Sequence, residues 1–166
     1  MINPTTLERI IEKAPDLSEI KKVEIPVKEY VDQYKSKGYL IFSLNTKNQK
    51  KRNENYFIAS FIAGHLYQRN PIILENSNHI VILKERFLNR IKKLADEELK
   101  NNAHAMKYPC VPLEKLVKIL KKELSVSSKD KPVIAYALYY LAEQNKLMIR
   151  EESRKYFVYK NEKEKA

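Results

Sequence analysis

Over residues 111–160 the spacing of apolar side chains changes period. Leu113, Leu116, Val117, Ile119, Leu120 and Leu124 recur at helical intervals, and after a polar break Val133, Ile134, Ala137, Leu138 and Leu141 do so again. Each set covers one face of a helix. Beyond Asn145 the period shortens: Leu147, Met148 and Ile149 lead into the polar run Glu151-Glu152-Ser153-Arg154, and Tyr156, Phe157, Val158 and Tyr159 follow. That pattern predicts a β-hairpin. A similar transition lies upstream. Tyr30, Val31 and Tyr34 mark a helix over 29–37 that Gly38 stops, and residues 39–44 read as a buried strand. After a polar loop over 45–53, Phe57, Ile58, Phe61, Ile62 and Leu66 predict a helix over 54–68 with those five side chains facing inward. Asn70-Pro71 ends it. Residues 72–74 and 80–83, separated by Glu75-Asn76-Ser77-Asn78-His79, predict another hairpin. Further helices are expected over 5–14, capped by Thr5 or Thr6 and stopped by Pro15, and over 87–100, with Leu88, Ile91, Leu94 and Leu99 on one face.

Helix, turn, helix and hairpin in this order over 111–160 resemble the winged-helix form of the helix-turn-helix. The resemblance implies that the helix over 132–144 lies in a nucleic-acid groove with the hairpin flanking it as a wing. It rests on the order of elements in about a third of the chain, without a fingerprint motif. A displacement of 75 residues aligns Leu66 with Leu141, Asn70 with Asn145, 72–74 with 147–149 and 81–83 with 156–158. Identities are few, so internal duplication and a coincidence between two ordinary hairpins are both open. The expected fold class is α+β, mostly helical with two β-hairpins and winged-helix-like, tandem if the duplication is real. The expected organisation is an N-terminal arm over 1–26, an α/β unit over 27–100 and a winged-helix domain over 101–166. The middle unit would be a degenerate winged helix with 87–100 as a linking helix, and 101–112, polar at first and ending with two prolines, is the expected boundary.

Composition narrows the function classes. A chain of 166 residues with 43% apolar content can bury a core. The single cysteine, Cys110, excludes an intramolecular disulfide and any multi-cysteine metal site. Met1-Ile2-Asn3-Pro4 opens no charged and then apolar leader, and no apolar run approaches the roughly 20 residues that span a bilayer. The expectation is a cytoplasmic, intracellular protein with no membrane partner.

The net charge of +11 suits a polyanion partner, and it also serves solubility. Its distribution is uneven: residues 1–26 carry four basic and five acidic side chains, whereas 27–52 carry seven and two. Lys47, Lys50, Lys51 and Arg52 stand with Asn and Gln and no acid, and they are candidate phosphate contacts; the plain alternative is a solvated loop. Lys129 and Lys131 before the last helix, with Arg150, Arg154 and Lys155 on the wing, form a second candidate cluster. The helix itself offers Tyr136, Tyr139, Tyr140, Glu143 and Gln144 rather than the side chains that match base edges best. Tyrosines such as Tyr136 and Tyr140 can touch phosphates or stack on unpaired bases. They serve a protein interface or a half-buried core edge equally well.

Catalysis finds little support. His65, His79 and His104 are not spaced as a metal pair, and Asp96, Glu97 and Glu98 are consecutive on a helix and diverge. Cys110 has no histidine near it in sequence. Two glycines, Gly38 and Gly64, cannot make a glycine-rich phosphate loop. The expectation is therefore no enzyme and no cofactor, but a DNA- or RNA-binding protein. A transcription regulator is the first choice, with a homodimer on two half-sites as its natural form. The alternative is a non-catalytic protein-docking subunit of a replication, transcription or nucleic-acid-processing complex, engaged through the tyrosine-rich helix 132–144.

Overall fold

The computed structural model describes residues 25–102 and 109–161, so the helix expected over 5–14 and His104 lie outside the described residues. The elements in order are α1 (Val27–Lys37), β1 (Tyr39–Ser43), α2 (Gln49–His65), a 3-10 turn (Tyr67–Arg69), β2 (Ile72–Glu75), β3 (His79–Leu83) and α3 (Glu85–Asn101). Then come β4 (Cys110–Pro112), α4 (Leu113–Glu123), a second 3-10 turn (Ser128–Asp130), α5 (Pro132–Glu143), β5 (Leu147–Glu152) and β6 (Lys155–Lys160). The class is α+β. Two compact units divide between Phe87 and Leu88. The division falls inside α3, ahead of the boundary expected within 101–112, and Leu88, Ile91, Ala95 and Leu99 of that helix are buried.

In the first unit α1 ends at Gly38, whose φ of 86° lets its N–H reach Tyr34 O at 2.9 Å. A side chain there fails twice, since the left-handed backbone disfavours it and its Cβ would stand 2.9 Å from Phe87 Cβ. The three strands are antiparallel in the order β1-β3-β2, with Tyr39 and Ile72 both opposite Leu83. Tyr34, Leu40, Phe42, Leu44, Ile73, Ile80 and Ile82 form one core with Tyr56, Ala59, Ile62, Ala63 and Leu66 of α2. The alternate residues Tyr39, Val81 and Leu83 are buried too, and the Phe87 ring lies 5.2 Å from that of Tyr39. Burial on both faces explains the uninterrupted apolar runs over 72–74 and 80–83.

Helix α2 starts at Gln49, well before the expected residue 54, because Asn48 Oδ1 accepts from Lys50 N at 3.0 Å and Lys51 N at 3.3 Å. Its first five residues are polar, so apolar periodicity could not reveal them. Its inward face also differs from the expected one. Ala59 and Ala63 are fully buried and bring the helix backbone close to the sheet, while Phe57 is half-buried and Phe61 is 47% exposed on the opposite side.

The second unit repeats the strand order as β4-β6-β5. Val111 and Val158 pair and are fully buried, with Leu116, Val117 and Leu120 of α4 and Val133, Ile134, Ala137, Leu138 and Leu141 of α5 buried in the same unit. Strand β4 escaped the sequence reading because it has three residues and ends in proline, which an edge strand tolerates. Helix, strand, two helices and a hairpin, with the first strand paired to the last, is the order of a winged helix. The two units share a further detail. Asn70 (φ 52°) and Asn145 (φ 59°) both take the left-handed conformation just before the first strand of the hairpin, β2 or β5. The hairpins differ in register: Ile72 faces Leu83, whereas Leu147 faces Lys160, a slip of two residues that keeps every side chain on its face.

Candidate interaction face of the second unit

Helix α5 opens with Pro132, whose fixed φ suits the first helical turn. Five apolar side chains then anchor one face to the core. The remaining face carries Tyr136, Tyr139, Tyr140 and Glu143 at intervals of three and four. Tyr136 and Tyr140 are half-buried, and Tyr139 is 44% exposed. The helix contains no lysine or arginine along its 12 residues.

The wing is built by cross-strand pairing. Glu151 opposes Tyr156 on the face shared with Ile149 and Val158, while Arg150 opposes Phe157 on the other face, with Met148 and Tyr159. Tyr156 therefore points to the helical side and is 46% exposed. Partial burial, and then the nearby Tyr156, raise the pKa of Tyr139. The two exposed tyrosines are neighbours. On the outer face Tyr159 OH donates to Glu152 Oε1 at 2.8 Å, and this bond, ahead of burial, pushes the phenol up to about 12. The Arg150 guanidinium sits 5.8 Å from the Tyr159 ring centroid, so its planar head is partly engaged within the fold. At the tip Ser153 (φ 52°) and Arg154 (φ 66°) both adopt positive φ, the signature of a type I′ turn. Arg154 and Lys155 are exposed there.

The other residues expected to bind nucleic acid are divided between the two units. Lys129 is exposed on the 3-10 turn and Lys131 is half-buried at the start of α5, where Lys121 Nζ also donates to Ser128 Oγ at 2.6 Å. Lys47, Lys50 and Lys51 are exposed in the first unit. Arg52 is turned inward: its Nη1 donates to Leu44 O and, at 3.1 Å, to Ser77 O, clamping the end of β1 to the β2–β3 turn. Its charge serves the fold. Nothing in the sequence separated it from its lysine neighbours except that arginine alone has a fork suited to two carbonyls. Tyr156 was also missed as a surface residue, because the apolar run over 156–159 hid which face each side chain takes.

Among the described residues no group of three His, Cys, Asp or Glu could hold a metal ion, and no helix is long and apolar enough to cross a membrane. No protein-family model matches the chain, and no curated protein matches it. The chain is similar to one in the structure of the ESCRT-II endosomal trafficking complex, with 17% identity and a TM-score of 0.41 over 95% of this chain and 86% of that one. A likeness so distant carries no argument about what this chain does.

Proposed function

We propose that this protein is a non-catalytic docking subunit whose second unit binds a protein partner through the tyrosine face of α5 and the adjoining wing. The observation behind this is two exposed tyrosines, Tyr139 on a helix that carries no cation and Tyr156 on the wing, near enough that one raises the pKa of the other. A groove-reading helix lies between two rows of phosphates, where α5 would bring Glu143 and no compensating charge. Tyrosine instead offers a large apolar ring and a hydrogen-bonding tip at small entropic cost, the chemistry enriched at the centre of protein interfaces. The partner belongs to a replication, transcription or nucleic-acid-processing assembly, where the +11 charge assists. The common strand order and the matching left-handed Asn70 and Asn145 support a tandem of two winged-helix units.

A nucleic-acid-binding regulator is the second reading. It is favoured by the exposed Lys47, Lys50 and Lys51 and by Arg154, held with Lys155 at the wing tip. One pair of variants separates the two. Tyr139→Ala with Tyr156→Ala abolishes recovery of the native assembly on the tagged protein and leaves duplex DNA affinity unchanged across a salt series. Arg154→Glu with Lys155→Glu has little effect on assembly. Retained assembly in the tyrosine variant, with DNA binding lost in the charge variant, would reverse the ranking.

A further inference from the structure

We infer that α2 carries a second protein-docking site, centred on Phe57, Phe61 and Gly64, for an amphipathic helix of a different protein with acidic residues at one end. The inference concerns the first unit and does not rest on the tyrosine face. Tyr56, Ala59, Ile62, Ala63 and Leu66 anchor α2 to the core, and Phe57, Phe61 and Gly64 recur at intervals of four and three on the opposite side. The two phenylalanine rings stand 6.4 Å apart at 51°, with Phe61 47% exposed. An aromatic pair facing away from the core adds little to the fold and offers apolar area to a partner.

Gly64 supplies the second observation. Its φ is not positive, it is exposed, and a Cβ built on it meets nothing within 4 Å among the described residues. Neither chain direction nor packing calls for glycine, which destabilises a helix relative to alanine. What the missing side chain provides is a notch, one turn beyond the Phe61 knob, into which another backbone can settle. Charge selects the occupant. Lys47, Lys50 and Lys51 are exposed at the N-terminal end of α2, where the helix dipole is also positive, and Arg69 is exposed just past its C-terminal end. A second copy of α2 brings Lys50 and Lys51 with Glu54 as its one acid, a poorer match to the lysine end than a helix with several acids. An acidic amphipathic helix gains at the lysine end and seats its apolar face on Phe57, Phe61 and Gly64.

The test uses the full chain and a fluorescein-labelled helical peptide with a Leu/Ala face and glutamates at one end, read by anisotropy. Controls are the same peptide with lysines for glutamates, and the Tyr139→Ala, Tyr156→Ala protein. Gly64→Leu should fill the notch and weaken binding at least tenfold while the Tm holds or rises by about 3 °C, since leucine forms helix better and has open space. Lys50→Glu with Lys51→Glu should weaken it at least threefold and flatten its salt dependence. The tyrosine variant should bind as the wild type does. Failure of the glutamate peptide to bind would overturn the proposal, as would an affinity unchanged by Gly64→Leu. Equal binding of the lysine peptide, or binding lost only in the tyrosine variant, would overturn it too. A Tm lowered by Gly64→Leu would show that the glycine serves the fold, and concentration-dependent dimerisation lost in that variant would show a second copy as occupant. Displacement of the peptide by single-stranded DNA, insensitive to Gly64→Leu, would assign the surface to nucleic acid.

Discussion

The two sheets have one strand order and opposite characters. In the first unit both faces are buried and the β2–β3 turn is held from several sides. Asn76 Oδ1 accepts from Asn78 N at 2.8 Å and His79 N at 3.0 Å, Leu44 N donates to Asn78 O at 2.7 Å, and Arg52 reaches Ser77 O. In the second unit the outer face keeps Met148, Phe157 and Tyr159 only half-buried, and residues 150–156 are exposed along the wing. One hairpin is fastened to its own unit and the other is presented to solvent. Topology supplies the frame, and the polar side chains at the turn decide whether a wing is part of the scaffold or available for contact.

The widest test of this contrast is to truncate each sheet. Ile82→Ala in the doubly covered β3 should cost about 3 kcal/mol or more in urea unfolding, whereas Phe157→Ala on the outer face of β6 should cost about 1 kcal/mol. Equal losses would mean that the second sheet is covered on both faces as well. Next in size are the turns. Arg52→Met removes charge-assisted bonds to two carbonyls and should cost about 2 kcal/mol, against less than about 0.5 kcal/mol for Arg154→Met at the free tip.

Titration gives the finest comparison. Tyr159 is held above the ordinary phenol value, at about 12, chiefly by its bond to Glu152. A raised folded-state pKa means stabilisation that is complete below pH 10 and disappears as pH rises through about 12. Tyr159→Phe should remove that alkaline slope. His79 in the first unit is lowered by burial. Its neutral form therefore adds stability that is complete above pH 6.5 and is lost as pH falls through the lowered value. His79→Gln should flatten this acid slope and leave the alkaline one unchanged.

What the sequence made legible followed from strong local signals. The apolar runs over 72–74 and 80–83, the two stripes over 113–141 and the stop at Gly38 each reappear as the expected element. What it hid had weak or competing signals. The start of α2 is polar and rests on a single capping side chain, Asn48. Two stripes compete on α2, and the larger side chains, Phe57 and Phe61, lost to the pair of alanines that permit close approach. For the interaction face, the tyrosines of α5 were visible from periodicity, but the orientation of Tyr156 depends on the pairing register across the hairpin. The role of Arg52 depends on carbonyls at residues 44 and 77, which no local window contains.

The placement of Phe87 bears on how the protein is made. Its ring covers Tyr39 and its Cβ fills the space that Gly38 leaves open. A nascent chain that has exposed only residues 25–83 already holds all three strands of the first sheet, yet it lacks this cap. Completion of the first unit on the ribosome therefore waits for the opening turn of α3, whose remaining residues start the second unit. Any gene fragment meant to express the first unit alone should run past codon 87.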